Sequence, residues 1–420
     1  MSAAALALVI AGCACSADEN DDDSGGTRTE GQGQAPGDIG PPQHLASDAR
    51  GFYTPPDPLP HGEPGQLLRY QPIPGQAAPD VAIYRVMYLS TSVQDDPIAV
   101  TGLVVVPKGE APTDGRTIVS VAHGTTGLAD RCAPSRLSPQ FEAWEHDLRL
   151  PPTLSILTQF AQQGYVVAAT DYEGLGTPGV HPYLVGESEG RSVLDAARAA
   201  RQLPDARTGN QLGIWGYSQG GHAALWAQQL AGEWAPQLDL VGTVAGAPGS
   251  NIATSFSTTG GVPSLNNRFV MIVAGFAAAY PDARPDSVLT DAGLAIVDDA
   301  EHADACGQVG IDTSPAGGAT IARPGFAEVD PWPELLAASE PGQAAVDAPL
   351  LLLHSEADRT VPIDFTLGLA DRLCSLGQRL ELRVYDLGEG HVEAVDDAVT
   401  DGLAWIDSRV AGTPAPTTCR

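Results

Sequence analysis

The chain has 420 residues, 43% of them apolar, enough to bury a large core as one α/β domain with insertions or as two domains. No apolar run reaches the length needed to span a bilayer as an internal helix. Its 52 acidic residues against 22 basic ones leave a net charge of −30, and Lys108 is the only lysine. Such a surface repels nucleic acid and anionic headgroups, which argues against a nucleic-acid-binding role.

The first residues, "MSAAALALVIAGCACSADENDDD", read as a targeting segment and stand outside the fold. A short apolar run, Ala3 to Ile10, leads into Ile10-Ala11-Gly12-Cys13, which resembles a bacterial lipobox, although no Lys or Arg precedes Arg28. Residues 1–12 are expected to be a leader, with Cys13 lipidated as the mature N-terminus; an ordinary cleaved signal peptide is the alternative, and both mean export. Residues 13–50 are acidic and rich in Gly, Pro and Ser, as a flexible tether to a membrane would be. Export also gives Cys132, Cys306, Cys374 and Cys419 an oxidising setting, so two disulfides are expected, and the sequence allows three pairings. Glu301, His302, Asp304 and Cys306 could suggest a metal site, but no paired ligand motif accompanies them, so a disulfide half is expected there and no metal.

The folded core is expected over 51–247 and 347–420. Alternating, β-branched stretches at 82–91 and 98–107 predict an opening hairpin or meander. Strands are then predicted at Thr117–Ala122, Tyr165–Thr170, Leu212–Trp215 and Asp239–Ala245. Helices are predicted between and after them at Leu154–Gln163, Arg191–Leu203 and Gly221–Trp234. Continuous apolar strands alternating with amphipathic helices imply an α/β fold, its mainly parallel sheet covered on both faces. The alternation stops over 248–346, a span too long for an unstructured loop, so an inserted cap or lid is expected there. Within it "FVMIVAGFAAAY" (269–280) predicts a cap-core helix, with an acyl-pocket wall or lid as the functional alternative. The pattern resumes with a strand at 348–355, a helix at 363–376, a strand at 380–386 and a last helix from Val392 to Val410.

"GIWGYSQGGHAA" places Ser218 between a strand and a helix, with Gly216 and Gly220 at the offsets that a nucleophile elbow requires. A serine hydroxyl needs a base and an orienting carboxylate, and on such a sheet the chain order is Ser, then Asp or Glu, then His. Of nine histidines, His354 and His391 follow strands beyond the insertion. His354 ends an apolar strand and is expected to be buried structure. His391, in a glycine-bearing loop before a helix, is the predicted base. Asp358, on the loop leaving the strand "LLLLHS", is the predicted acid, with Glu356 and Asp386 as competitors. Oxyanion donors are expected from the Gln219 amide and, in the His123-Gly124-Thr125 loop, from Thr125 with Gly124 beside it, His123 bracing the loop.

These residues, together with "CAPS" (132–135), "DYEGLG" (171–176), "HPYLVGESEGRSVLDAARAAR" and "DPWPELLAASEPG" (330–342), are similar to the secretory lipases of fungi and actinobacteria. That family is the lipase-A-like branch of the α/β-hydrolases, and the similarity runs from "FYTPPDPLPHGEPGQLLR" to the end of the chain. The resemblance implies an α/β-hydrolase core with an inserted cap, an extracellular acylglycerol or other ester substrate, and no cofactor. It assigns Ser218, Asp358 and His391 the same roles as the residue patterns do. It further implies Cys132 paired with Cys306 and Cys374 with Cys419, and structural places for Asp171 and Glu173. The loop His-Gly-Thr-Thr-Gly departs from members that carry an acidic side chain there. The expected protein is an exported, monomeric lipase or carboxylesterase. A serine peptidase or acyltransferase on the same fold is one alternative, and a catalytically silent surface binding protein is another.

Overall fold

The computed structural model describes residues 39–75, 78–137, 142, 145–146, 153–259, 266–301, 306, 320–386 and 388–420. The leader, Cys13, His302 and Asp304 lie outside these residues. The strands are β1 (Gln43–His44), β2 (Leu67–Pro72), β3 (Val81–Thr91), β4 (Pro97–Pro107), β5 (Arg116–Ala122), β6 (Val166–Thr170), β7 (Thr208–Tyr217), β8 (Asp239–Gly246), β9 (Leu350–Ser355) and β10 (Leu380–Tyr385). The helices used below are α1 (Thr153–Gln162), α2 (Gly186–Ala200), α3 (Gln219–Trp234), α4 (Ile252–Thr259), α5 (Asn266–Ala279), α6 (Pro285–Val288), α7 (Asp291–Glu301), α8 (Trp332–Ala338), α9 (Ile363–Ser375) and α10 (Val395–Val410).

The strands form one sheet in the order β1-β2-β3-β4-β6-β5-β7-β8-β9-β10. From β6 to β10 every neighbouring pair is parallel, and β2, β3, β4 and β6 pair antiparallel. This is the expected α/β-hydrolase sheet. Its parallel strands carry continuous apolar runs because helices cover both faces: all of Val166–Thr170 and Leu350–Ser355 are buried. The parallel register aligns the strand ends, Ala122 opposite Gly216, Tyr217 opposite Gly246 and Gly246 opposite Leu353. The loops that follow β5, β7, β8 and β9 therefore leave one edge of the sheet together, where α/β proteins build their sites.

Two strands went unread in the sequence. β2 is a six-residue strand in which Leu67, Leu68 and Gln71 are buried, and β1 is two residues long. β1 also shortens the expected tether, because Gln43 pairs with Arg69 and His44 with Tyr70, and Gln71 donates to the Ala46 and Ala49 carbonyls. Helix α2 starts at Gly186, five residues before the predicted Arg191, since the polar "GESEG" run is, Glu187 apart, buried rather than solvated.

The described part of 248–346 holds α4 to α8. Phe256, Phe269, Phe276 and Trp332 anchor an apolar cluster there that also takes in Leu128, Tyr183 and Leu184 from the sheet's loops. The predicted 269–280 helix is α5, and its residues Phe269 to Val273 are fully buried in that cluster. A disulfide joins Cys132, after β5, to Cys306 in the insertion, and a second joins Cys374 on α9 to Cys419.

Candidate active site

At the end of β7 the chain turns so tightly into α3 that side chains have nowhere to go. A Cβ on Gly216 would lie 2.0 Å from the Gly220 carbonyl oxygen, and one on Gly220 would lie 1.9 Å from the Ala122 carbonyl oxygen. Ser218 itself is held at φ 61°, a conformation that non-glycine residues seldom adopt. Its amide donates to the Gly246 carbonyl at 2.9 Å, and its carbonyl accepts from the His222 and Gly249 amides at 3.1 and 3.0 Å. The turn is thus fixed by β8 on one side and by α3 on the other, with the Ser218 hydroxyl left for other partners.

That hydroxyl lies 2.8 Å from Nε2 of His391, and Nδ1 of His391 lies 2.6 Å from Oδ2 of Asp358. A carboxylate only accepts, so Nδ1 carries the proton and Nε2 presents its lone pair to the Ser218 hydroxyl. Tyr217 steadies the imidazole by donating to the His391 carbonyl at 2.8 Å. Oδ1 of Asp358 accepts from the Thr360 and Val361 amides at 2.7 and 2.9 Å. Burial alone would raise the Asp358 pKa. The hydrogen bonds from His354 and His391, the His391 charge and the Val361 amide outweigh burial and hold the carboxyl well below the usual carboxylate range. His354 is buried, as expected of it, yet its Nε2 reaches to 3.3 Å from Asp358 Oδ2. Of the competing acids, Asp386 and Glu356 are not partners of His391, whose Nδ1 is taken by Asp358.

The loop after β5 comes up against the elbow. A Cβ on Gly124 would stand 3.8 Å from the Ser218 Cβ, and the Thr125 hydroxyl meets the Tyr183 hydroxyl at 3.0 Å. His123 faces the Gly124 carbonyl at 2.6 Å and the Asp171 carbonyl at 3.3 Å, and its own carbonyl accepts from Tyr172 at 3.0 Å. Burial pushes the His123 pKa down to about 4 against these backbone hydrogen bonds, so the ring is neutral near pH 7. Asp171 is likewise buried, accepting from Thr101 at 2.6 Å, from the Ser135 amide at 2.8 Å and from the Ser135 hydroxyl, which ties the "CAPS" turn to β4.

One cluster escaped the sequence reading. Glu189, fully buried on α2, accepts at Oε1 from the Gln219 side chain at 2.7 Å and from the Leu184 amide at 3.0 Å. Its Oε2 lies 2.6 Å from Nδ1 of His222, whose Nε2 lies 3.0 Å from the Ser339 carbonyl. Gln219 spends its other N–H on Nε2 of His181 at 2.7 Å, which leaves the His181 proton on Nδ1, 2.9 Å from the Glu173 carbonyl. The first turn of α3 is therefore pinned from below by a carboxylate and latched to the insertion at Ser339. Two signals pointed here: Gly186 and Gly190, four apart in α2, are glycines inside a helix. A Cβ on Gly186 would fall 2.0 Å from Trp226, so these glycines mark close packing of α2 on α3.

A small cavity of about 30 Å³ opens beside the elbow, with Tyr183, Ser218, Gln219, Ser250, Arg268 and Phe365 in its wall. A wider cleft of about 400 Å³ lies past Phe365, lined by Asn251, Leu336, Glu340, Asp364 and Arg372. The smaller space reaches Ser218 and the wider one does not.

The sequence model of the secretory lipases matches residues 152–306. A protein described as a probable inactive lipase, MT1628, from Mycobacterium tuberculosis (strain CDC 1551 / Oshkosh) is 27% identical over 387 residues, covering 86% of this chain and 82% of that protein. The secreted triacylglycerol lipase LIP4 of Malassezia globosa is 26% identical over 393 residues, covering 88% of this chain and 82% of its own. Among solved structures, Candida antarctica lipase A in its closed state superposes with a TM-score of 0.75 at 22% identity, over 88% of this chain and 87% of that one. A sheet ordered as an α/β-hydrolase, the family match through α2, α3 and the insertion, and relatives aligned over most of their length agree: the chain is similar to the secretory lipases.

Proposed function

We propose that the protein is an extracellular lipase or carboxylesterase that cleaves acylglycerols or related carboxylic esters through an acyl-enzyme on Ser218. The observation that carries this reading is the unbroken pair of hydrogen bonds from Asp358 through His391 to Ser218. Ser218 Oγ attacks the ester carbonyl while its proton passes to Nε2 of His391. The oxyanion is met by the Gln219 amide at the start of α3 and by the Thr125 amide, with Gly124 beside it. The tetrahedral intermediate collapses, His391 returns the proton to the leaving alcohol, and the acyl group stays on Ser218. Water then attacks with His391 as base, releasing the acid and restoring the serine. Asp358 stays ionised throughout and holds the imidazole in the tautomer that leaves Nε2 free. No cofactor enters these steps.

Residues 248–346 act as the cap over this site, and a lipid on Cys13 tethers the chain to a membrane as a monomer. The relative described as inactive makes a silent binding protein the second reading. A fluorophosphonate probe and a series of p-nitrophenyl esters of increasing chain length, set against peptide amides, separate the two. Wild type is expected to be labelled and to prefer esters, and Ser218→Ala to lose labelling and about 10⁴- to 10⁶-fold in kcat. Well-folded wild type that takes no label would overturn the enzyme reading.

A further inference from the structure

Among the described residues the wall of the cavity at Ser218 holds one charged side chain, and it is a cation. In a protein with 52 acidic and 22 basic residues, none of the acidic side chains among the described residues lines this space, and Arg268 does. Arg268 is the third residue of α5, inside the first helical turn. A cation there opposes the helix dipole, which favours negative charge at that end, so the placement is unfavourable for α5 by itself. Its backbone amide donates to Asn267 at 2.8 Å, but among the described residues its guanidinium has no hydrogen-bond or ion-pair partner. A second group in the same wall is also unpartnered: the Ser250 hydroxyl, on a residue only 3% exposed, has no hydrogen-bond partner among the described residues. Buried hydroxyls are almost always satisfied, and an orphan beside a cation and a helix N-terminus is a donor set for an oxyanion.

We propose that Arg268 and Ser250 form a recognition site for an anionic group carried by the substrate itself, a carboxylate or a phosphate a few bonds from the scissile ester. This rests on the ester-hydrolase reading above and narrows its substrate class. Arg268 offers a planar fork of N–H donors to two oxygens of the anion, and Ser250 donates to a third position. The strongly negative remainder of the protein repels anions in general, so the pocket accepts one that arrives already joined to an ester.

The experiment measures kcat/KM for matched pairs: 4-nitrophenyl hydrogen glutarate against 4-nitrophenyl pentanoate, and 1-butanoylglycerol 3-phosphate against 1-butanoylglycerol. In wild type the anionic member is expected to be favoured in at least one pair, and that pair identifies carboxylate or phosphate as the source. Arg268→Gln should lower the anionic-to-neutral ratio of that pair by about 10- to 100-fold, and Ser250→Ala by about 3- to 10-fold. Arg268→Lys should keep a large part of the preference, and added salt should erode it in wild type, a measurement that requires no variant to fold. A ratio that Arg268→Gln leaves where it was in both pairs, or a wild type that favours the neutral member of both, overturns the proposal. Wild type that hydrolyses none of the four esters overturns the ester reading beneath it, and calorimetry with glutarate and glycerol 3-phosphate on Ser218→Ala then reads the anion site directly. Absence of binding there, or binding that Arg268→Gln does not weaken, removes the anion site as well.

Discussion

Two histidine–carboxylate pairs share the neighbourhood of Ser218, and they look alike at first contact. His391 sits 2.6 Å from Asp358, and His222 sits 2.6 Å from Glu189. What differs is the atom at the second ring nitrogen. For His391 it is a hydroxyl, which donates, so the neutral ring is satisfied and keeps a lone pair for the Ser218 proton. For His222 it is the Ser339 carbonyl, which only accepts, so beside an ionised Glu189 both ring nitrogens donate and the ring is an imidazolium. Burial works to lower the His222 pKa, but the charge and hydrogen bond of Glu189, with the Ser339 carbonyl, leave it raised. An imidazolium has no lone pair and cannot act as a base. On the proposed function, the same pair of residue types thus makes a proton shuttle at one position and a structural latch at the other, decided by a single acceptor.

The sharpest way to break the contrast is to remove each histidine system and compare what is lost. His391→Ala is expected to lower kcat by about 10⁴-fold or more while stability changes by about 1 kcal/mol or less, because Asp358 keeps its two backbone amides and His354. Ester turnover and urea denaturation on the same preparation test this; a large stability loss would mean that His391 is also a latch. Glu189→Ala should show the reverse weighting. It leaves a buried imidazolium without its counter-charge and the Gln219 side chain without its acceptor, at a cost of about 3 kcal/mol. Turnover should fall by about 10- to 100-fold, in kcat rather than KM, since Gln219, whose amide is proposed to meet the oxyanion, is mispositioned rather than removed. An equal rise in KM with kcat intact would point to Glu189 shaping substrate binding.

How far the sequence reaches follows the same division. That Ser218, Asp358 and His391 meet was readable because each occupies a loop directly after an apolar strand, and chain order on a parallel sheet fixes which of them can do so. The strands themselves were readable because burial on both faces leaves runs such as Leu350 to Leu353 with no polar interruption. Glu189 was hidden for the opposite reason. "GESEGRS" is polar along its length, and a polar helix start is usually solvated, so only packing on Trp226 and α3 reveals that it is interior. β1 and β2 were hidden because two residues carry no periodicity and because β2 alternates only in part. Arg268 follows from neither pattern nor order, since a single cation has meaning only once the cavity around it is known.

The comparison is sharpened further by a third histidine, His123, whose buried ring also faces two acceptors but has no carboxylate beside it. Its partners are the Gly124 and Asp171 carbonyls, so a neutral ring can donate to only one of them. The shorter contact, to Gly124 at 2.6 Å, is the natural place for the proton. Without a counter-ion, burial wins over the backbone hydrogen bonds, and the pKa falls from 6.5 to about 4. Between those two values the unfolded chain binds the proton and the folded chain does not. The His123 contribution to stability is therefore full above pH 6.5 and is lost as the pH falls toward 4, by up to about 1 kcal/mol per pH unit. His222 carries the opposite sign: its raised pKa makes its contribution full below the ordinary histidine value and lost as the pH rises through the raised one. His123→Asn keeps an N–H near the Gly124 carbonyl and removes the titration, so urea midpoints of wild type and variant should converge as the pH is lowered from 6.5 to 4. Midpoints that stay parallel across that window would mean that the folded ring keeps its ordinary affinity for a proton, and that two buried carbonyls can do for His123 what Glu189 does for His222.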